Sequence, residues 1–130
     1  MAMTYKTKQW TGLLLTAVPV LFLLFDIVIK LMVIAPVRES FARLGYPEGI
    51  AIAIGTLELV CLVIYLVPRT AVFGAILLTG YLGGAVATHV RVGDPLMSHA
   101  LFPVYVGVLL WGGLFLREAR LRALVPLSQP

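Results

Sequence analysis

Apolar residues fall in long runs along this chain, separated by short polar stretches. Four runs stand out, at residues 10–35, 50–67, 71–88 and 100–116. Each is near or above the roughly 18 to 20 residues that a helix needs to cross the hydrocarbon of a bilayer. The pattern predicts an all-α, integral membrane four-helix bundle in a single domain over residues 1–130, with short loops and a longer first outer loop. The first run reads as a retained helix. It is too long for the apolar core of a signal peptide, carries Asp26 and Lys30, and has no small-residue cleavage pattern before Pro36.

Polar positions inside the runs are few, and their spacing is informative. In the first run Pro19 predicts a modest kink, and Asp26 precedes Lys30 by one turn, the favourable order for a helical ion pair. Residues 37–44 form a short amphipathic segment expected to lie along the membrane surface. In the second run Gly55 and Glu58 share a stripe with Ala51, Leu62 and Tyr65. Pro68 and Arg69 make a tight turn that sets the second and third helices antiparallel and adjacent. The third helix carries Gly80, Gly83, Gly84 and Ala87, and glycine costs about 1 kcal/mol against alanine inside a helix. Close approach of a neighbouring helix is the expected compensation, and a second copy of the chain is a candidate neighbour, which predicts a homo-oligomer. Val90 to Ser98 form a polar second outer loop, His99 opens the fourth helix, and the basic tail from Arg117 continues as an amphipathic helix on the inner surface.

Composition narrows the class further. With 61% hydrophobic residues in 130 and a mean hydropathy of +1.02, the chain has more apolar surface than a soluble core of this size buries. The net charge of +4 is not a nucleic-acid footprint, because the basic residues flank the spans instead of forming one stripe. Lys6, Lys8, Arg69, Arg117, Arg120 and Arg122 fall on the side of the termini, and Arg38, Arg43 and Arg91 on the other. That bias predicts cytoplasmic termini and places basic residues against acidic lipid headgroups. The single cysteine, Cys61, excludes dithiol chemistry within one chain and reads as a small buried apolar residue.

At about 1.5 Å of rise per residue, Asp26 and Glu58 fall in one layer some 12 to 13 Å below the outer ends of their helices. Lys30 lies about one turn nearer the outside, Tyr81 about 10 Å below Thr88, and His89 and His99 at the rim. Asp26, Lys30, Glu58, Tyr81, His89 and Arg91 are therefore the candidate ligand-binding residues of an outward-facing, blind-ended polar wedge, with little that is polar except Tyr65 in the inner half. Such a wedge suits proton exchange at a lipid-soluble carrier such as a quinone, acid/base isomerisation of a lipid, or capture of an apolar cation. Each needs a carboxyl group in an unusual environment, so Glu58 and His89 are the candidate catalytic pair. The bland alternatives are a helix-to-helix clamp for Glu58, an interfacial cap for His89, and snorkelling of Lys30 to the outer interface. A metal site at His89 and His99, with Asp94 between them, lacks a diagnostic ligand spacing. Two function classes remain open: a lipid- or quinone-binding or accessory subunit that serves a membrane or redox partner protein, and an intramembrane acid/base enzyme, an isomerase or oxidoreductase on a lipid-like substrate. The first is preferred, because the candidate groups are few and spread over three helices.

The residues GTLELVCLVIYLVPRTAVFGAILLTGYLGGAVATHVRVGDP, followed by LFPVYVGVLLWGGLFLREARLRALVPL, carry a resemblance to the DoxX-like family of small bacterial membrane proteins. Glu58, the Pro68-Arg69-Thr70 turn, the 80–85 stretch GYLGGA, His89, Arg91 and the 110–114 run LWGGL match it in order. The resemblance implies a four-helix bundle in the bacterial inner membrane. More distant relatives are similar to a quinone-reducing thiosulfate oxidoreductase subunit, to membrane partners of oxidative-stress enzymes and to a receptor-assembly chaperone. A quinone is accordingly the candidate cofactor.

Overall fold

The computed structural model describes residues 4–124, and these contain helices and turns but no strand. Helix α1 runs Tyr5–Met32, α2 Ala35–Arg43, α3 Ile50–Leu66, α4 Ala71–Arg91, α5 Phe102–Arg117 and α6 Ala119–Leu124. A short 3-10 turn, Pro68–Thr70, joins α3 to α4, and a π-helical turn, Leu96–Ala100, leads into α5. The spans starting at Tyr5, Pro68 and Leu96 are long and apolar enough to cross a membrane, while α3 is apolar but shorter, at 17 residues.

The ends of these helices follow local chemistry. Thr4 caps α1 by accepting from the Thr7 N–H at 3.2 Å, so α1 begins five residues before the apolar run. Residues 1–3 lie outside the described part. At its other end α1 stops on Val33, a β-branched residue at φ 49° and ψ 51°. The left-handed region costs a residue with a branched Cβ about 1 to 2 kcal/mol, and here it turns the chain sharply from α1 into α2. Gly45 (φ 81°) then ends α2 in a conformation that glycine adopts freely. At the far side of the molecule the Thr70 hydroxyl donates to the Ile64 carbonyl at 2.7 Å, which occupies an orphaned end of α3. Glu118 is extended and separates α5 from α6, and the Arg122 guanidinium donates to the Phe115 and Leu116 carbonyls, both at 2.8 Å, closing the end of α5. The expected amphipathic tail is thus a separate helix, and its residues 125–130 are outside the described part.

Helix α1 packs on α3 and α5, and α4 packs on the same two, so the long apolar helices form a ring in the order α1, α3, α4, α5. Leu23, Ile27, Leu62, Tyr65, Leu78, Leu110 and Leu114 fill its centre. The outward faces are apolar: Leu14, Val18, Leu21, Phe25 and Met32 on α1 are all exposed, as are Phe73 and Ile76 on α4. An exposed apolar belt of this extent is what a bilayer covers.

The close helix approaches are not where the sequence points. A Cβ on Gly80, Gly83 or Gly84 would meet nothing within 4 Å, so the predicted small-residue face makes no tight contact within the chain. The tight crossing of α3 and α4 is at Gly74, where a Cβ would run into the backbone of Tyr65 and come within 2.8 Å of the Ile64 carbonyl carbon. That of α1 and α5 is at Gly12 and Gly113, where each Cβ would come within 2.8 Å of the other glycine's carbonyl oxygen. Within the chain, glycine repetition does not mark the packed face, because periodicity counts residues without knowing which face a neighbouring helix of the same bundle occupies.

Candidate functional site

Four of the six candidate ligand residues meet in one hydrogen-bonded cluster between α1, α3 and α4. The Lys30 ammonium donates to Asp26 Oδ2, to Glu58 Oε2 at 2.9 Å and to the Tyr81 hydroxyl at 2.6 Å. Tyr81 in turn donates to Glu58 Oε2 at 2.9 Å, and the Lys30 nitrogen stands 5.3 Å from the centre of the Tyr81 ring. Each partner arrives for a local reason. Asp26 and Lys30 are one turn apart on α1. Gly55 lies one turn before Glu58, and a Cβ on it would stand only 3.0 Å from Lys30 Cβ, so its bareness admits α1 to this depth. The Gly74 crossing holds α4 close enough for Tyr81 to reach α3. Lys30 does not snorkel to the rim: its side chain is only 13% exposed, against 26% for Asp26 and none for Glu58.

The cluster is rich in acceptors. Two carboxyl groups share one ammonium, and the second Glu58 oxygen, Oε1, is buried without a hydrogen-bond partner among the described residues. A buried acceptor left unmet costs about 1 to 3 kcal/mol, so this oxygen needs a reason. Glu58 is also one of the residues around a cavity of about 850 Å³, lined by Asp26, Lys30, Glu58 and Tyr81 and otherwise largely by apolar side chains from α1, α2, α3, α4 and the start of α5. Cys61 is on its wall, buried as expected. Gly80 and Gly84 also line it, so these glycines serve to leave space.

Helix α2 roofs the cavity. Its Val37 is buried, and Pro36, Ser40, Phe41 and Leu44 form part of the wall. The surface segment expected over 37–44 is a helix as anticipated, but it folds back over the bundle. A polar latch fastens it. Arg43 donates to both Asp94 oxygens, at 2.7 and 3.3 Å, and His89 Nδ1 lies 2.5 Å from Asp94 Oδ2. The Arg91 guanidinium donates to the Leu44 carbonyl, and the Tyr46 and Thr88 hydroxyls are 2.9 Å apart. The hydrogen bonds from Arg43 and from His89 hold the Asp94 carboxyl down at about 2, and Asp94 raises the Arg43 guanidinium above its ordinary value.

His89 and Arg91 are thus placed apart from the inner cluster. His89 lines the same cavity as Glu58 but is bound to Asp94, and Arg91 is bound to α2. The His89 and His99 rings meet edge to face with centres 6.4 Å apart, and the Ser98 hydroxyl lies 2.8 Å from His99 Nδ1. His99 itself falls in the π-helical turn that precedes α5. Among the described residues no group of three His, Cys, Asp or Glu side chains is placed to hold a metal ion.

At the opposite end, Arg117 reaches between the helices to donate to the Thr16 hydroxyl at 3.1 Å and the Tyr65 hydroxyl at 3.4 Å, while Tyr65 donates to the Leu110 carbonyl at 2.9 Å. The inner half is more polar than the sequence indicates. By position Arg117 is only a flanking charge, but its long side chain points back along α5 from the last turn. The signal for Asp94 is stronger, since a Gly-Asp-Pro loop sits between two histidines, yet its true partner Arg43 is distant in sequence.

Apolar helices that cross the membrane more than once, closed around a buried acid/base cluster, define a multi-pass helical membrane protein. Residues 14–113 match the DoxX-like family, and the chain belongs to it. No curated protein and no solved structure matches the chain.

Proposed function

We propose that the protein is a lipid- or quinone-binding or accessory subunit whose cavity holds the polar head of a lipid-like ligand against the Asp26, Lys30, Glu58 and Tyr81 cluster. The observation that carries this reading is an unpartnered, fully buried oxygen, Oε1, on Glu58, a residue that lines a largely apolar cavity. A clamp between helices would satisfy both oxygens, whereas a binding site leaves capacity for its ligand. The intramembrane-enzyme reading needs Glu58 and His89 to exchange protons with one substrate. Both line the cavity, but His89 is engaged by Asp94 and shares no hydrogen bond with Glu58, which favours the binding reading.

The same proposal takes all of α1, α3, α4 and α5 as membrane spans in the bacterial inner membrane, with cytoplasmic termini and the α2 roof outside. Thiol labelling of Lys6→Cys and Met97→Cys from each side of the membrane tests this, and outer labelling at 6 with inner labelling at 97 would reverse it. A homo-oligomer, or docking of a membrane or redox partner, is read out by crosslinking in native membranes. Function itself is tested by extracting the purified protein and identifying co-purifying lipids and quinones by mass spectrometry, with Gly84→Phe as the filled-cavity control. A lipid-like species present in the wild type and lost from the variant is expected. Identical extracts, or a tightly bound haem, metal or flavin in the wild type, would overturn the reading.

A further inference from the structure

The proton inventory of the inner cluster restricts what the cavity accepts. An ammonium has three hydrogens to give, and Lys30 gives them to Asp26, Glu58 and Tyr81. A phenol has one, and Tyr81 gives it to Glu58. With both carboxyl groups ionised, the cluster has no donor left. What remains is acceptor capacity: Glu58 Oε1, which has no partner among the described residues, and the second oxygen of Asp26, whose side chain is a quarter exposed. Charge points the same way for that ionised cluster, since two negative carboxylates then face a single ammonium in a low-dielectric setting where an unbalanced charge is expensive.

A carbonyl head group would bring only acceptors to a site that lacks donors. A protonated amine brings hydrogens to the unmet oxygens and the missing positive charge together. The rest of the cavity suits an apolar body: Phe22 and Phe102 stack edge to face at 4.9 Å on one side, Leu77 lines the wall, and Gly80 and Gly84 leave the face of α4 beside Tyr81 bare.

We propose that the cavity takes a lipophilic amine, an apolar body ending in an ammonium group whose N–H groups donate to Glu58 Oε1 and to the free oxygen of Asp26. This inference rests on the reading that the cavity holds a lipid-like ligand, and it specifies the head group as an amine in place of a quinone.

The test uses the full chain in lipid nanodiscs and three probes of one shape, 4-butylbenzylamine, 4-butylbenzyl alcohol and 4-butylbenzoic acid, with decylubiquinone as an acceptor-only ligand. Binding is measured by equilibrium dialysis, after subtraction of the same probe in nanodiscs of the Gly84→Phe variant. A charge-assisted hydrogen bond is roughly twice as strong as a neutral one, so the amine should bind about tenfold more tightly than the alcohol. The acid and the quinone should show no specific binding. Glu58→Gln should remove the preference for the amine. If that variant fails to fold, Asp26→Asn, at a less buried position, should reduce the preference instead. Alcohol or quinone binding as tightly as the amine would overturn the head-group assignment while leaving the cavity reading intact, as would an amine preference that survives both substitutions. If no probe distinguishes wild type from Gly84→Phe, the cavity reading itself fails, and the amine inference with it.

Discussion

Substituting alanine at two glycines of the same helix should give effects of opposite sign. At Gly74 the new Cβ would come within 2.8 Å of the Ile64 carbonyl carbon and closer still to the Tyr65 backbone. Ordinary carbon contacts lie near 3.5 Å, so α3 and α4 would have to part by about 1 Å. The obstacle is backbone, which cannot rotate aside. Overpacking of this kind typically costs about 1 to 3 kcal/mol, and the better helix propensity of alanine returns about 1 kcal/mol. With the overpacking cost at the upper end, about 3 kcal/mol, a net loss of roughly 2 kcal/mol is expected for Gly74→Ala. At Gly80 a Cβ meets nothing within 4 Å, so Gly80→Ala should be neutral or gain up to about 1 kcal/mol. Reversible unfolding in mixed micelles, followed by circular dichroism, measures both. Gly74→Ala should also weaken any ligand binding, because the same crossing sets the distance between Glu58 and Tyr81. A Gly74→Ala protein as stable as Gly80→Ala would refute the assignment of the α3 to α4 contact.

Other consequences follow from the site and its roof. Lys30→Met should destabilise the protein by about 3 to 5 kcal/mol, because it strands two carboxyl groups and a phenol around a lost cation, and adding Glu58→Gln and Asp26→Asn should recover part of that in the same unfolding assay. For Asp94, the folded carboxyl is depressed to about 2, so the stability it supplies is present above its ordinary value near 3.8 and is lost as pH falls from there toward 2. Hydrogen exchange over 35–44 should accelerate across that window, and Asp94→Asn should exchange fast at every pH. A wild type with unchanged protection at pH 2 would contradict the latch. Val33→Gly should gain about 1 kcal/mol by relieving the left-handed valine, as read from the unfolding midpoint.

How far the fold is legible in the sequence varies with the kind of interaction. The apolar runs locate the long helices, since burial in hydrocarbon is a property of local composition. The one-turn spacing of Asp26 and Lys30, and the depth of Glu58, bring three members of the cluster into the right layer, because rise per residue is fixed in a helix. What the sequence hides is rotational. Whether a glycine faces a neighbour or an empty cavity depends on how each helix is turned about its axis, and a helix that is apolar all round has no polar face to fix that turn. Gly74 and Gly80 look alike in sequence. Arg43 and Asp94 stand in the sequence as charges of two separate loops, and Arg117 as a charge facing lipid headgroups. Their pairings depend on the α2 fold-back and on side-chain reach, neither of which periodicity encodes.

The brevity of α3 sets a relation between this protein and the membrane around it. Seventeen residues rise about 25 Å, short of the roughly 30 Å of an average hydrocarbon core, whereas the 28 residues of α1 rise about 42 Å. If α3 spans, lipid beside it must thin or α3 must be drawn along its neighbours, at a cost of fractions of a kcal/mol per Å of mismatch. The helix under that load is the one that carries Glu58, and it is tied to α1 through Lys30. Thicker bilayers should therefore pull on the Lys30 to Glu58 bond, making membrane thickness a variable that tunes the site. Reconstitution in phosphatidylcholines of about 14 to 22 acyl carbons tests this: the affinity of the cavity for its ligand should fall steadily with chain length, and a flat series would show that α3 carries no such load.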